Sequence, residues 1–305
     1  MFFIGGFVVV DQARVEHPSV SVIVPVGSLG PQLDAQLQAL ADQDFGFPFE
    51  VLIADNTRAG DLGEYVVTHP LQERLRLRSV DASRETGAGY ARNCGAREAS
   101  GDLLAFCDSD DVVHASWLTT LVQKASSFDV VGTAVETETL NSARALSWTP
   151  TVPPEKQGST DFLPFAIGAS MACWASVYSD LGGMDNRYRA SQDVEFSWRA
   201  QLAGYTLGFS TEAVVAYRLR DELRPLLRQS FRLGFGFAKL RGIYRPQGCP
   251  ALKVGRVAIW WMALLLRNPL LPTSLTGMSR GHWLRAFVIR VGEIRAGIRY
   301  GTFGW

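Results

Sequence analysis

Asp108-Ser109-Asp110-Asp111 follows directly on the apolar run LLAFC at residues 103–107. Carboxylates spaced D-x-D at the end of a buried strand offer hard oxygen ligands to Mg²⁺ or Mn²⁺. Such ions usually complete their shell with water and substrate phosphates. Asp-Ser-Asp also builds ordinary turns and helix caps, so its chemistry depends on where the chain places it. A second carboxylate, Asp193 in Ser191-Gln192-Asp193-Val194-Glu195, opens a helical pattern through Phe196 and Arg199, where it could serve simply as an N-cap. A third, Asp55, closes the apolar run FEVLIA and is followed by Asn56.

The surrounding pattern indicates how these groups meet. Residues 19–24 (SVSVIV), 49–54, 75–80 and 103–107 read as short buried strands. A helical pattern in Leu33, Leu37 and Leu40 and a helix over 88–98 lie between them. Strands alternating with helices predict an α/β fold with a mainly parallel sheet covered on both faces. Open sheets of this kind bind ligands at the C-terminal ends of their strands, so Asp55 and the 108–111 cluster should be neighbours. Residues 141–158, rich in Ser, Thr and Pro, read as a loop near the site. A strand near 165–172, a helix at 193–203 and strands at 206–209 and 213–217 complete the expected domain.

Four stretches, SVSVIVPV, VLIADNT, GAGYARNCGAREASGDLLAFCDSDD and GGMDNRYRASQDVEFSWRAQLAGY, resemble in order and spacing the inverting family 2 glycosyltransferases of the GT-A fold, such as those of bacterial cell-surface polysaccharides. The resemblance covers residues 18–217 and, more weakly, to about 240. It implies a Rossmann-like catalytic domain over 18–240 that binds a nucleoside-diphosphate sugar through Pro25, Val26, Asp55, Gly87, Arg92, Asp108, Asp110 and Arg232. In that reading Asp55 meets the base, Asp108 the ribose and Asp110 the Mg²⁺ or Mn²⁺ on the diphosphate, while Asp111 shapes the turn. Asp193 matches the catalytic base that takes the acceptor's hydroxyl proton. Gln192 stands where the family usually has Glu, and Tyr217 where many relatives have a metal-ligating His; His17, His69, His114 and His282 lie elsewhere. Gln229-Ser230-Phe231-Arg232-Leu233 looks like a degraded Q-x-x-R-W element. Trp174 and Trp198 could stack on a sugar, but core packing is the simpler expectation. The acceptor implied is a hydroxyl of a lipid-linked or growing cell-surface glycan. A polyprenyl-phosphate acceptor and a catalytically silent sugar-nucleotide-binding subunit are the alternatives.

Composition adds a partner. At 305 residues and 47% hydrophobic, the chain can bury a sizeable core, which excludes general disorder. Four dispersed cysteines suggest neither a zinc site nor a disulfide framework, and fit reduced thiols in a cytoplasm. The net charge of zero hides an asymmetry: beyond Tyr217 there are 16 Lys and Arg against three acids. Residues 257–266 are apolar but short of the ~20 that span a bilayer. Residues 283–300 place Leu284, Phe287, Val288, Val291, Ile294 and Ile298 at helical spacing among arginines. Together these predict a helical, basic extension over 241–305 that lies on an anionic membrane surface, peripheral on the inner face of the cell membrane; no nucleic-acid partner is expected. Residues 1–17 read as an N-terminal extension without an ordinary secretory signal.

Overall fold

The computed structural model describes residues 15, 17–59 and 62–304. The apolar stretch at residues 1–10 lies outside them. Ten strands are described: β1 (Val20–Val26), β2 (Phe49–Asp55), β3 (Leu77–Asp81), β4 (Leu103–Cys107), β5 (Val112–Val113), β6 (Val130–Glu136), β7 (Ser170–Trp174), β8 (Leu207–Ala216), β9 (Leu252–Lys253) and β10 (Phe303–Gly304). The α-helices are α1 (Pro31–Ala41), α2 (Leu62–Thr68), α3 (Gln72–Leu75), α4 (Ala88–Glu98), α5 (Trp117–Ala125), α6 (Ala143–Trp148), α7 (Ala175–Asp180), α8 (Gln192–Leu202), α9 (Leu223–Ile243), α10 (Val254–Leu266), α11 (Thr273–Thr276) and α12 (Arg280–Tyr300).

The main sheet runs β3-β2-β1-β4-β7-β6-β8-β5. Its first four strands are parallel, as is the β6–β8 pair. Strand β7 is antiparallel to both β4 and β6, and β5 is antiparallel to β8. The sheet is therefore more mixed than alternation alone predicts. The β6–β7 connection needs no helical crossover, because an antiparallel partner can be reached by a simple reversal. Residues 141–158, expected as loop, also hold the short helix α6. The two strands expected at 206–217 are one strand, β8, bulged opposite Thr133 and Ala134.

Central strands are apolar on both faces because both are covered. Val22, Ile23, Val24, Leu52, Ile53, Ala105 and Phe106 are wholly buried. That explains their unbroken apolar runs, where a half-exposed strand would alternate. Trp117 and Phe196 add bulk to this core, while Trp198 packs in a second cluster with Tyr188, Val194, Leu240 and Tyr244.

The C-terminal quarter folds against the α/β layers, with Arg241 of α9 paired to Asp161. Helices α9 and α12 cross closely at two glycines: a Cβ on Gly234 would collide with the Ile289 carbonyl oxygen, and one on Gly292 would lie 2.5 Å from the Phe231 carbonyl oxygen. On an exposed helix Gly→Ala gains about 1 kcal/mol; here Gly234→Ala should instead cost about 1–3 kcal/mol through overpacking. Urea melts measure the sign, and a stabilised variant would mean that the two helices do not touch there.

Candidate active site

One wall of the site comes from the ends of β1 and β2. Pro25 and Val26 lie opposite Ala54 and Asp55 in the parallel register. Asp55 is buried, and its Oδ1 accepts from the Thr57 amide at 2.9 Å and the Thr57 hydroxyl at 2.6 Å, an Asx-type turn that leaves Oδ2 available. Asn56 then ties down the loop before α4: its Oδ1 accepts from the Gly87 amide at 2.8 Å and its Nδ2 donates to the Glu85 carbonyl at 2.7 Å. Gly87 sits at φ 140° and ψ 141°, a backbone that L side chains rarely adopt. The chain thus arrives at α4 with an open backbone facing the strand ends.

The second wall is the turn Asp108–Asp111. Gln36, wholly buried on α1, clamps it from behind: Nε2 donates to the Asp108 carbonyl and Oε1 accepts from the Val113 amide, both at 3.0 Å. Asp111 faces inward, and its Oδ1 accepts from the Arg218 amide at 2.7 Å. Gln36→Leu strips partners from a buried carbonyl and a buried amide. It should cost about 2–6 kcal/mol of stability, at about 1–3 kcal/mol for each group left unsatisfied, and loosen the acidic turn. Chemical denaturation combined with donor titration checks this; unchanged stability would show that the clamp is idle.

Arg92 joins the two walls to a third. It extends from α4, is 2% exposed, and pairs through Nη2 with Asp108 Oδ1 at 2.5 Å. Its Nε and Nη1 have no hydrogen-bond partner. Nη1 lies 3.2 Å from where a Gly168 Cβ would be, and Asp193 Oδ2 lies 3.3 Å from that same point. Asp193 stands in the first turn of α8, where a carboxylate complements the helix dipole. It is not the N-cap: that position belongs to Ser191, in the left-handed region at φ 62°. Asp193 Oδ2 accepts from the Gly168 amide and Oδ1 from the Val194 amide, each at 2.9 Å. Gln192 packs over Gly89, where a Cβ would lie 3.4 Å from its Cγ, and its buried Oε1 lacks a partner.

Charge is concentrated here. Burial pushes the Asp108 carboxyl above its ordinary range, Arg92 pulls it back, and Asp110 and Asp193 add to the rise. Burial also drives Asp111 well upward, reinforced by Asp108 and Asp110. The segment after β8 answers with cations: Arg220 pairs with Asp110 Oδ2 at 2.9 Å, and Arg218 Nε donates to the Asp110 carbonyl at 2.8 Å. The phenol of Tyr217 is pushed upward by burial and by the neighbouring Asp111, which makes it a poor anionic ligand. Asp108, Asp110 and Asp111 can bring carboxylate oxygens within 4.8 Å of one another, and a buried Asp111 Oδ2 lacks a partner. This all-oxygen set fits a hard divalent cation such as Mg²⁺ or Mn²⁺.

Among the residues expected at the site, Arg232 stands apart. It is exposed on α9, one helical turn before Gly236, whose Cβ position lies 2.9 Å from Ser191 Oγ. Trp174 and Trp198 are core residues, the latter donating to the Leu163 carbonyl at 2.9 Å. Asn93 is structural too: its Nδ2 donates to the Met184 carbonyl, and its Oδ1 accepts from the Met184 amide and the Tyr178 hydroxyl. The sequence reading missed Gln36, the bracing role of Asn56, and Arg218 and Arg220. A polar residue inside the α1 apolar pattern was the available signal for Gln36.

A mixed α/β fold with carboxylates gathered at the ends of its strands and at the start of α8 is thus the class that these elements define. The glycosyl transferase family 2 model matches residues 21–179, more than half of the chain, and the chain belongs to that family. It is 27% identical to Glycosyltransferase AglE of Haloferax volcanii over 83% of each chain. Among solved structures it resembles the mannosyltransferase PcManGT from Pyrobaculum calidifontis in complex with GDP-Man and Mn²⁺, with a TM-score of 0.56 and 18% identity over 92% of this chain and 75% of that one. It also resembles S. aureus TarS 1-349 in complex with UDP-GlcNAc, with a TM-score of 0.52 and 16% identity over 94% of this chain and 93% of the other. The protein is a glycosyltransferase with a GT-A fold.

Proposed function

We propose that the enzyme transfers one sugar from a nucleoside diphosphate, with inversion, to a hydroxyl of a lipid-linked or growing cell-surface glycan. One observation carries this reading: the buried, half-unpartnered Arg92 guanidinium links Asp108 on the donor side to the neighbourhood of Asp193 on the acceptor side. A buried cation with idle donors suits the anionic donor, because unsatisfied buried groups are costly unless a ligand meets them.

Asp55 Oδ2 would accept from a base N–H, and Gly87 would let the backbone approach the nucleotide. Asp108, fixed by Arg92, would face the ribose, with Pro25 and Val26 beside the base. Asp110 would hold Mg²⁺ or Mn²⁺, which supplies positive charge to the departing diphosphate. Arg220, already paired with Asp110, would add cationic charge at the same end, whereas Arg232 on α9 would contribute only by reaching in from its exposed position. Asp193 takes the proton as the acceptor oxygen bonds to the anomeric carbon, while the bond from that carbon to the phosphate oxygen breaks on the opposite face. A lipid-linked acceptor would bring the reaction to an anionic membrane surface, on its cytoplasmic side.

Thermal-shift titration with UDP-, GDP- and dTDP-sugars, with and without Mn²⁺, tests donor binding; a ligand at 100 times its Kd stabilises by about 2.7 kcal/mol. No response to any of them would remove the donor assignment. Proton NMR of the product's anomeric centre tests inversion, and a product that keeps the donor's configuration would overturn single displacement. Donor binding without turnover on any hydroxyl acceptor would favour the silent-subunit reading instead.

A further inference from the structure

Helix α10 is apolar on two faces, and only one of them is covered. Val257, Trp260, Trp261 and Leu264, at helical spacing, turn toward α12. There Trp283 Nε1 donates to the Leu264 carbonyl at 2.8 Å, Trp261 meets Phe287 edge-on at 5.4 Å, and Arg290 lies 4.0 Å over the Trp260 ring. The opposite face carries Ile259, Met262, Leu265 and Leu266 at 69%, 58%, 70% and 72% exposure, and the following turn adds Leu270 and Leu275 at 83% and 76%. A helix that is apolar all round belongs in a protein interior or in lipid, and a bare apolar patch of this kind marks a partner.

Charge selects the partner. No Asp or Glu occurs between Glu222 and Glu293. Lys253 precedes α10, Arg267 follows it and Arg280 opens α12, all three exposed. A second copy docked on a two-fold axis would set these identical basic rims against each other, and Asp161, the acid beside α10, is already engaged by Arg241 and Arg256. A nucleic acid would meet the cations but leave the leucines in water. An anionic bilayer satisfies both, since apolar side chains enter the acyl boundary while Lys and Arg stay among headgroups. No helix among the described residues is long and apolar enough to cross a membrane, which agrees with a helix lying in the interface.

We infer that the outer face of α10 and the segment 267–275 that runs into α11 seat in the interfacial layer of an anionic lipid bilayer, and that α12 is the brace holding α10 onto α9. The sequence pattern put both apolar segments, 257–266 and 283–300, on the lipid surface, and the stripe on α12 does not fit that. Its Leu284, Phe287, Val288 and Ile294 are half-buried against protein, and only Val291 and Ile298 on that stripe are exposed. This inference rests on the reading that the enzyme works at a membrane, and donor binding provides an independent control.

The test uses the full chain in flotation with phosphatidylcholine vesicles, with and without phosphatidylglycerol, across a salt series. The wild type should float with anionic vesicles and release as salt rises. Met262→Ser/Leu265→Ser/Leu266→Ser should raise the lipid needed for half-binding by about tenfold or more, with the donor-induced thermal shift retained. Lys253→Gln/Arg267→Gln/Arg280→Gln, at exposed positions, should abolish the preference for anionic lipid and provides the test if the serine variant unfolds. A wild type that ignores anionic vesicles at low salt, or a serine variant that melts like the wild type and binds lipid equally well, overturns the inference. So does a wild-type dimer, seen by analytical ultracentrifugation, that the serine variant dissociates, or salt-sensitive binding to duplex DNA tighter than to vesicles. Variants that float unchanged yet bind donor sink the surface alone; a wild type that floats but binds no donor sinks the transfer reading alone.

Discussion

Asp193→Asn should lower turnover by about 10² or more, the usual contribution of a positioned general base, while donor affinity stays close to that of the wild type. Asp193 is anchored by backbone amides on both oxygens, from Gly168 and Val194. An asparagine can satisfy only one of them, so a stability loss of about 1 kcal/mol is expected as well. Rates should therefore be compared below the melting transition of both proteins, with isothermal titration of the donor alongside. The two roles separate cleanly in this way: a structural anchor would lower melting and leave turnover per folded molecule alone, whereas a base lowers turnover itself. Unchanged turnover would remove Asp193 from the mechanism.

Asp110→Ala should weaken donor binding chiefly when divalent metal is present, because the lost carboxylate acts through the ion. Losing even a supporting partner of a metal site costs about 10- to 100-fold in affinity, and a ligand should cost at least that. The variant also strips Arg220 of its pair. Arg220 is 44% exposed and Asp110 32%, so the lost pair should itself cost less than about 1 kcal/mol. Titration of donor against the variant in Mn²⁺ and in EDTA resolves the two contributions. Equal weakening in both would show that Asp110 acts directly on the donor, with Arg220 as the cation of the site. Tyr217 makes that comparison informative, because burial and the neighbouring Asp111 push its phenol upward and leave it a poor anionic ligand.

Much of the site was legible because its residues sit at ends of elements that local pattern locates well. The apolar run before Asp108 had to finish somewhere, and a D-x-D turn at a buried strand end falls at the ligand edge of an open sheet. Helix α4 was expected at 88–98 and occupies Ala88–Glu98, since its glycines, arginine and asparagine belong to one continuous motif. Strand β6 went unread because Val130–Glu136 contains Gly132 and Thr133 and ends in an acid, which blurs the contrast with its flanks. The strand expected near 165–172 overlaps β7 but begins five residues before Ser170, because residues 165–169 are also mostly apolar and periodicity alone cannot say which part of such a run joins the ladder.

What the chain determines by itself is a set of elements with their chemistry attached: an α/β order, acidic groups at strand and helix ends, and a basic C-terminal quarter. Short-range period and motif spacing carry that information, because they reflect backbone geometry within single elements. Tertiary structure decided who meets whom. Arg92 could be read as a polar group on a helix, but only packing set its guanidinium against Asp108 and beside Gly168, close to Asp193. Gln36 gained its role when α1 docked behind the acidic turn, and Arg220 gained its partner when β8 brought the following segment back across the sheet edge. The same holds at the C-terminus. An apolar stripe states that a helix face leaves water, not what covers it: α12 found α9 and α10, and the outer face of α10 found nothing within the described residues.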